Sequence, residues 1–406
     1  MIKRDKYLKR IIPFIDKPLI KVITGIRRCG KSTLLKQISN EILDNGVSEH
    51  QIININKELI KFDFIKDYLD LHSFVSRKAK NNKLKYYLFI DEVQEIQTWE
   101  KAINSFLAEE KYDIYISGSN ADLLSSDLAT LISGRHIEFP VYTFTYDEFC
   151  RIYANRAEVD SNTDVFSEFI KYGGFPGLHH IEWEEDILRQ YLESIYSTIV
   201  LKDVIKRNNI KSVYMLRNIL NFIASNCGNI SSAKKISDFT KSQGQNITTD
   251  TVLNYIEYTM NALLVHKTKR FDIIGKRLLE TYEKYYLADT GLSFTMIGNS
   301  PNMISGKLEN IVNLELLSRG YKVNIGKIRN KEIDFIALKN KEKIYIQVCS
   351  TLLGEDTYKR EYGAFSGVND HYPKYVVSLD SGNFSKNEDG IIWMNIKDFL
   401  LKQNLT

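Results

Sequence analysis

The chain has 406 residues, enough for two to four domains and a large core, with 43% apolar and 26% charged residues, ordinary values for a soluble globular protein, and 12% aromatic residues, which is on the rich side. A net charge of +4 permits contact with nucleic acid without pointing to it. Four cysteines, Cys29, Cys150, Cys227 and Cys349, lie far apart with no C-x-x-C spacing, which argues against a zinc or redox motif and for a reducing, cytoplasmic setting. Pro13, Asp16, Lys17 and Pro18 break the apolar segment behind the charged start, so no secretory signal is expected. No run is long and uncharged enough to predict a membrane span.

A short helix and an extended approach fill residues 1–18. Ile20–Thr24 reads as a buried strand, and Leu34, Leu35, Ile38, Ile42 and Leu43 then recur at helical spacing up to Asn45-Gly46. Between them lies Gly25-Ile26-Arg27-Arg28-Cys29-Gly30-Lys31-Ser32, followed by Thr33. This fits G-x-x-x-x-G-K-[ST] between a strand and a helix, the context that makes it a phosphate-binding loop. Gly25 and Gly30 lack a Cβ, so the backbone can take positive φ and wrap a phosphate chain. Amides of residues 25–33 then point inward as an anion nest, and the helix N-terminus adds positive potential. Lys31 can reach the β- and γ-phosphates of ATP, and Ser32 can offer its hydroxyl to Mg2+.

Gln51–Asn56 is the next expected strand, and a charged helical segment runs from it to Lys85. Tyr86–Ile90 is a compact buried strand that ends in Asp91-Glu92. Asp91 there would hold Mg2+, and Glu92 would polarise the attacking water. Trp99, Ile103, Phe106 and Leu107 mark an amphipathic helix, and Asp113–Ser117 a further strand. Gly118-Ser119-Asn120 follows it. Asn120, with Ser119 as the alternative, could orient water near the γ-phosphate, although the same residues make an ordinary turn. Arg135, in Ser133-Gly134-Arg135 before the strand His136–Val141, could stabilise the transferring phosphoryl group in cis or from a neighbouring subunit, or only pair with a local carboxylate. Five strands alternating with helices predict a parallel sheet covered on both faces, with all four motifs expected at the strands' carboxyl ends.

The stretches GIRRCGKS, LFIDEVQEI, SGSN, SGRHIEFPVYTFTYDEF and KYGGFPG resemble the prokaryotic family of predicted AAA-superclass ATPases that carry a C-terminal domain of uncharacterised function. The resemblance spans essentially the whole chain. It implies Lys31, Ser32, Asp91 and Glu92 as the two Walker sites, Asn120 as sensor and Arg135 as finger candidate.

The remainder predicts an α/β protein in four parts: a P-loop ATPase core over 1–155, a helical lid over 156–210, a winged helix over 211–298 and a restriction-endonuclease-like domain over 299–406. Lys171–Gly177 is a Gly/Pro turn that could act as a hinge or as a plain connection. Helices at Val213–Asn226, Ala233–Ser242 and Thr249–Asn261, then strands at Leu263–Arg270 and Tyr282–Leu287, give the winged-helix order, and KYYLADTGL at Lys284–Leu292 matches the family pattern. The third helix carries Asp250 and Glu257 but no Lys or Arg, so base readout looks poor. The ribbon is basic through Lys267, Lys269, Arg270, Lys276 and Arg277. The tail resembles the nuclease fold, whose metal site maps to Glu309, Asp334, Gln347 and Cys349. The last two depart from the pattern, so the module is expected to be inactive.

Three readings stand at this stage. One is an Mg-dependent ATPase that switches the lid, winged helix and tail for an unidentified protein client. A second is an ATP-dependent DNA-binding or nuclease-related factor. The third is a nucleotide-gated scaffold with little turnover. Oligomerisation stays open, and no membrane partner is expected.

Overall fold

The apolar runs that begin at Ile20, Tyr86 and Tyr112 become the inner strands of a parallel sheet. The computed structural model describes residues 2–405 apart from 82, 122–131, 133, 155, 157–163, 245–246, 383–384 and 387–389. Ser133 and the expected boundary at residue 155 therefore lie outside the described residues. In chain order the elements are α1 (Asp5–Ile11), β1 (Ile20–Thr24), α2 (Lys31–Asp44), β2 (Ile52–Asn56), α3 (Tyr68–Lys78), β3 (Tyr86–Asp91), α4 (Trp99–Ala108), β4 (Tyr112–Gly118) and β5 (His136–Pro140). The sheet order is β2-β3-β4-β1-β5, with every pair parallel. Strands β1, β3 and β4 are buried at every residue, whereas the edge strands β2 and β5 are only partly so. That is the pattern of a parallel sheet covered on both faces. Leu71, Ile103 and Phe106 from the helices pack with Val22, Leu88, Ile90 and Ile114 in one core.

Lys21 interrupts the apolar run of β1, and its fully buried ammonium pairs with Asp113 of β4. Asp113 also accepts from the Asp16 amide at 2.9 Å and the Tyr115 hydroxyl at 2.8 Å. A buried charge needs such partners, because an unmatched one would cost several kcal/mol, about 3–5 on loss of one member.

The chain separates into two compact units, one holding residues up to Tyr142 together with Asn261–Leu263, the other holding Thr143–Met260 and Leu264 onward. The second contains α5 (Tyr146–Tyr153), α6 (Val165–Tyr172) and α7 (Glu185–Thr198), which continues as a π-helical stretch over Ile199–Lys206. Next come α8 (Val213–Ser225), β6 (Ile230–Ser231), α9 (Ala233–Ser242), α10 (Thr249–Asn261), β7 (Val265–Asp272), β8 (Arg277–Leu287) and α11 (Thr290–Ile297). The tail is α12 (Ile304–Ser318), β9 (Lys322–Ile328), β10 (Lys331–Lys339), β11 (Glu342–Val348), α13 (Glu355–Gly363), β12 (Lys374–Ser378), β13 (Ser385–Lys386), β14 (Ile392–Asn395) and α14 (Ile396–Leu401). The three helices fall where the periodicity places them, and the hairpin follows them, its second strand starting at Arg277 and not at the expected Tyr282. The hairpin does not stand alone, however. Strand β7 pairs in parallel with β9 through Arg270–Ile325, giving one mixed sheet in the order β13-β14-β12-β11-β10-β9-β7-β8-β6. The expected division at 298/299 thus cuts between strands of a single sheet.

Two of the recognised motifs interlock inside this unit. Asp289, at the N-terminus of α11, accepts the Gly174 amide at 2.9 Å and the Gly291 amide at 2.8 Å. Burial pushes its carboxyl up to about 6 despite these donors and Thr143. A Cβ on Gly173, which has φ +74°, would lie 1.7 Å from the Asp289 Oδ1, and one on Gly291 would lie 2.2 Å from the Tyr172 carbonyl oxygen. A Cβ on Gly177 would lie 1.8 Å from the Tyr191 hydroxyl. KYGGFPG and KYYLADTGL are therefore two halves of one tight contact, which supports the plain-connection reading of the turn over the hinge. Gly173→Ala and Gly291→Ala should each destabilise this unit by about 2–4 kcal/mol in urea unfolding. Gly298→Ala, with φ +75° and nothing within 4 Å, should cost only about 1 kcal/mol, and equal losses at all three sites would refute the interlock.

Candidate nucleotide site

Strand β1 delivers the chain at Thr24 to a loop packed against its own surroundings. A Cβ on Gly25 would lie 2.3 Å from the Val141 carbonyl oxygen and 2.6 Å from the Cys29 sulfur. Gly25 stays outside the left-handed region, so close packing, not positive φ, demands glycine there. The loop's left-handed turns come from Arg28 at φ +70° and Gly30 at φ +100°. Residues Lys31, Ser32 and Thr33 then form the first turn of α2, whose N-cap is Gly30 and which has no side-chain cap. Its leading amides keep no internal partner of that kind.

The Lys31 ammonium, 4% exposed, donates to the carbonyl oxygens of Gly25 at 3.0 Å and Ile26 at 3.3 Å. It also lies 3.5 Å from the Glu92 carboxylate. Strand register explains the meeting, because Thr24 stands opposite Gly118 and Ile90 opposite Ile116, so the carboxyl ends of β1, β4 and β3 are neighbours. Asp91 is buried and accepts the Ser117 hydroxyl. Glu92 has φ +57°, its amide donates to Ser117 Oγ at 3.4 Å, and its carboxylate accepts Ser119 Oγ at 3.0 Å and the Gln94 amide. Burial opposes the charged form of Glu92, but Lys31, Gln94, Arg27 and Ser119 outweigh it and hold the carboxyl below its ordinary range.

The structure thus brings together Gly25, Gly30, Lys31, Asp91 and Glu92. Asn120 is buried next along the chain from Ser119, and of the two sensor candidates Ser119 makes the hydrogen bond to Glu92. Arg135 is not brought in. Its carbonyl accepts the Ile20 amide at 3.0 Å, which puts it at the amino ends of β1 and β5, while the loop follows the carboxyl end of β1. Five strand residues separate the two ends, a span of about 16 Å. The expectation that all four motifs gather at the carboxyl ends fails for Arg135, and a role for it within its own site fails with it.

Arg4 escaped the sequence reading. Its buried guanidinium donates to the Cys29 carbonyl at 3.2 Å and the Tyr142 carbonyl at 3.1 Å, while its amide donates to Gln37 Oε1 of α2 at 3.0 Å. It braces the loop against α2 from behind. No sequence spacing announces a partner 25 residues away. Ser117, Ser119 and Gln94 were closer to view, since all three sit inside motifs already marked. At the basic ribbon, Lys267 pairs with Glu283 at 3.4 Å, and the Arg270 guanidinium lies 5.8 Å from the Tyr282 ring centre. Part of that positive charge is therefore spent within the ribbon.

The donors present fit a nucleotide triphosphate with magnesium: one buried ammonium, an uncapped helix start, a hydroxyl at Ser32 and a buried carboxylate at Asp91. A family model described as an AAA domain matches residues 17–150, and one described as a domain of unknown function (DUF8612) matches residues 163–303. A Haemophilus influenzae protein named "Uncharacterized protein" is 36% identical over 405 residues, covering 99% of each chain. "Uncharacterized protein MJ1544" of Methanocaldococcus jannaschii is 31% identical, over 89% of this chain and 82% of that one. Among solved structures, the Walker-type ATPase PABY2304 of Pyrococcus abyssi is similar with a TM-score of 0.52 at 17% identity, covering 73% of this chain and 96% of that chain. At that identity the likeness bears on fold alone.

The brace predicts a measurable effect. Arg4→Met keeps bulk but loses the donors to Cys29 and Tyr142. Calorimetric affinity for Mg-ATP should fall about tenfold, worth about 1.4 kcal/mol, while circular dichroism stays native. Unchanged affinity would show that the loop holds its form without Arg4.

Proposed function

The chain belongs to the family of the two relatives named above and carries an AAA-type core, and on that premise we propose that it binds Mg-ATP at Gly25–Thr33 and hydrolyses it. The observation that carries this reading is Lys31, a buried ammonium set between loop carbonyls and the Glu92 carboxylate, at the head of a helix with no side-chain cap. Lys31 and the loop amides of Ile26, Arg27, Arg28, Cys29 and Gly30 would hold the phosphates. Ser32 and Asp91 would hold the magnesium, which when bound neutralises phosphate charge.

Glu92 suits the role of orienting water. Ser119 and Gln94 fix its carboxylate, and its lowered pKa keeps it charged at neutral pH. A low-pKa carboxylate is a weak base, so Glu92 would position and polarise water more than it takes a proton early. Phosphoryl transfer asks mainly for such positioning and charge stabilisation. Hydrolysis would then drive movement of the lid, winged helix and tail for a protein client, in a cytoplasmic setting. The charged, hydrogen-bonded Glu92 favours turnover over a static scaffold.

Phosphate release measured on the purified chain tests the first part. Lys31→Ala should abolish Mg-ATP binding, and Glu92→Gln should retain binding while turnover falls at least about 100-fold. Wild-type protein that neither binds nor hydrolyses Mg-ATP would end this reading. A homo-oligomer is proposed from the position of Arg135, since an arginine remote from its own loop could meet a transferring phosphoryl group only in a neighbour's site. Arg135→Ala should lower turnover by about 10³-fold, and mixing it with Lys31→Ala should restore part of the activity through mixed sites. Normal turnover by Arg135→Ala would assign the arginine to structure.

A further inference from the structure

The nuclease-like tail implies a divalent cation between Glu309 and Asp334, and the residues present do not fit one. The Lys284 ammonium, 3% exposed, stands among the acids. It lies 3.0 Å from Glu309 Oε2, 3.1 Å from Glu332 Oε1 and 2.8 Å from Asp334 Oδ1. We propose that Lys284 is the resident cation of this cluster: it takes the metal's place, closes the tail to divalent-ion chemistry and ties β8 to α12 and β10.

The donor count supports this. An ammonium has three N–H bonds, and here it meets three carboxylates. The oxygens sit at hydrogen-bonding distance from the central nitrogen, whereas Mg2+ requires oxygens at about 2.0–2.1 Å and Ca2+ at about 2.3–2.6 Å. Two further acceptor positions of the cluster are also taken. Asp334 Oδ2 accepts the Val348 amide at 2.9 Å, and Glu309 Oε2 accepts the Tyr286 hydroxyl at 3.1 Å. Gln347, where a third metal ligand would stand, turns its Oε1 to the Asp334 amide at 3.2 Å. Cys349, at the last position of that pattern, carries a thiol, which supplies no cation in either protonation state. Among the described residues no group of three or more His, Cys, Asp or Glu side chains is arranged to hold a metal.

The surroundings are shaped to this lysine. Gly228 has φ +81°, and a Cβ there would lie 2.9 Å from the Glu309 carboxylate. Burial and the neighbouring Asp334 push the Glu309 carboxyl up to about 8, against the pull of Lys284 and Tyr286. Lys284 opens the KYYLADTGL motif, whose Asp289 makes the glycine contact described above. One motif thus supplies both a cation and a packing lock.

The test is Mn2+ binding by calorimetry and thermal melting on the full, nucleotide-free chain. Wild type should show no Mn2+ site that Asp334→Asn removes, and its melting should not move with millimolar Mn2+ or EDTA. Lys284→Gln should melt several degrees lower, gain a Mn2+ site at least about tenfold tighter than any in wild type, and lose it again with Asp334→Asn added. A wild-type Mn2+ site removed by Asp334→Asn would overturn the proposal, as would a folded Lys284→Gln that gains no site. Should Lys284→Gln fail to fold, the wild-type pair decides alone.

Discussion

The candidate nucleotide site hangs on one buried ammonium. Lys31 cannot be withdrawn from water without acceptors, and the fold gives it the Gly25 and Ile26 carbonyls and the Glu92 carboxylate. Those partners come from two places, the loop after β1 and the end of β3. A cation that needs both therefore ties the two signatures into one site. Glu92 is held in turn by Ser119 and Gln94 and by a left-handed backbone at φ +57°. Strain of this kind persists only where neighbours over-determine it, and here they do.

The platform beneath is a parallel sheet whose three inner strands are buried at every residue, and it determines which ends matter. Chain polarity in a parallel sheet is uniform, so every loop that follows a strand opens on one edge and every approach on the other. The Lys21–Asp113 pair sits within the approach side of β1 and β4, where Lys21 also donates to the Lys17 carbonyl at 3.0 Å. Chemistry gathers on the opposite edge. Gly25 links platform and loop, since its missing Cβ lets Val141 and Cys29 close in. The glycines of the second unit act likewise at Asp289, Tyr172 and Tyr191, where packing, not hinge motion, accounts for them.

Most of the architecture was legible in hydrophobic spacing. Long apolar strands and periodic helices declare themselves locally, and Ala233–Ser242 and Thr249–Asn261 fall on the same residues by pattern and by structure. What was not legible involves distance along the chain. The β7–β9 pairing joins strands with three elements between them, so the hairpin looks independent until the sheet is seen. Arg4 and Lys284 find partners 25 or more residues away, and in the sequence each is one basic residue among many. Arg135 is a different case. It precedes its strand, so polarity alone puts it on the approach edge, and the motif resemblance obscured that signal. Gly25 was recognised for the wrong reason, because a glycine needed for close packing and one needed for positive φ look alike in a sequence.

Lys31 and Lys284 show how one group serves opposite ends. Both are buried, and both face carboxylates. Lys284 meets three acids at 2.8–3.1 Å, which saturates its donors. Lys31 has one acid at 3.5 Å and two neutral carbonyls at 3.0 and 3.3 Å. An ammonium–carboxylate bond carries charge on both partners, whereas a carbonyl offers the ammonium only a dipole, and both weaken with distance. Removing Lys284 from its cage would strand several acids at once, whereas Lys31 gives up only carbonyl bonds of a kind that phosphate oxygens can replace with stronger ones. The saturated lysine is therefore structural and the under-satisfied one is available to a ligand. The distinction lies in the quality of the partners, since both ammonium groups are almost wholly shielded from solvent.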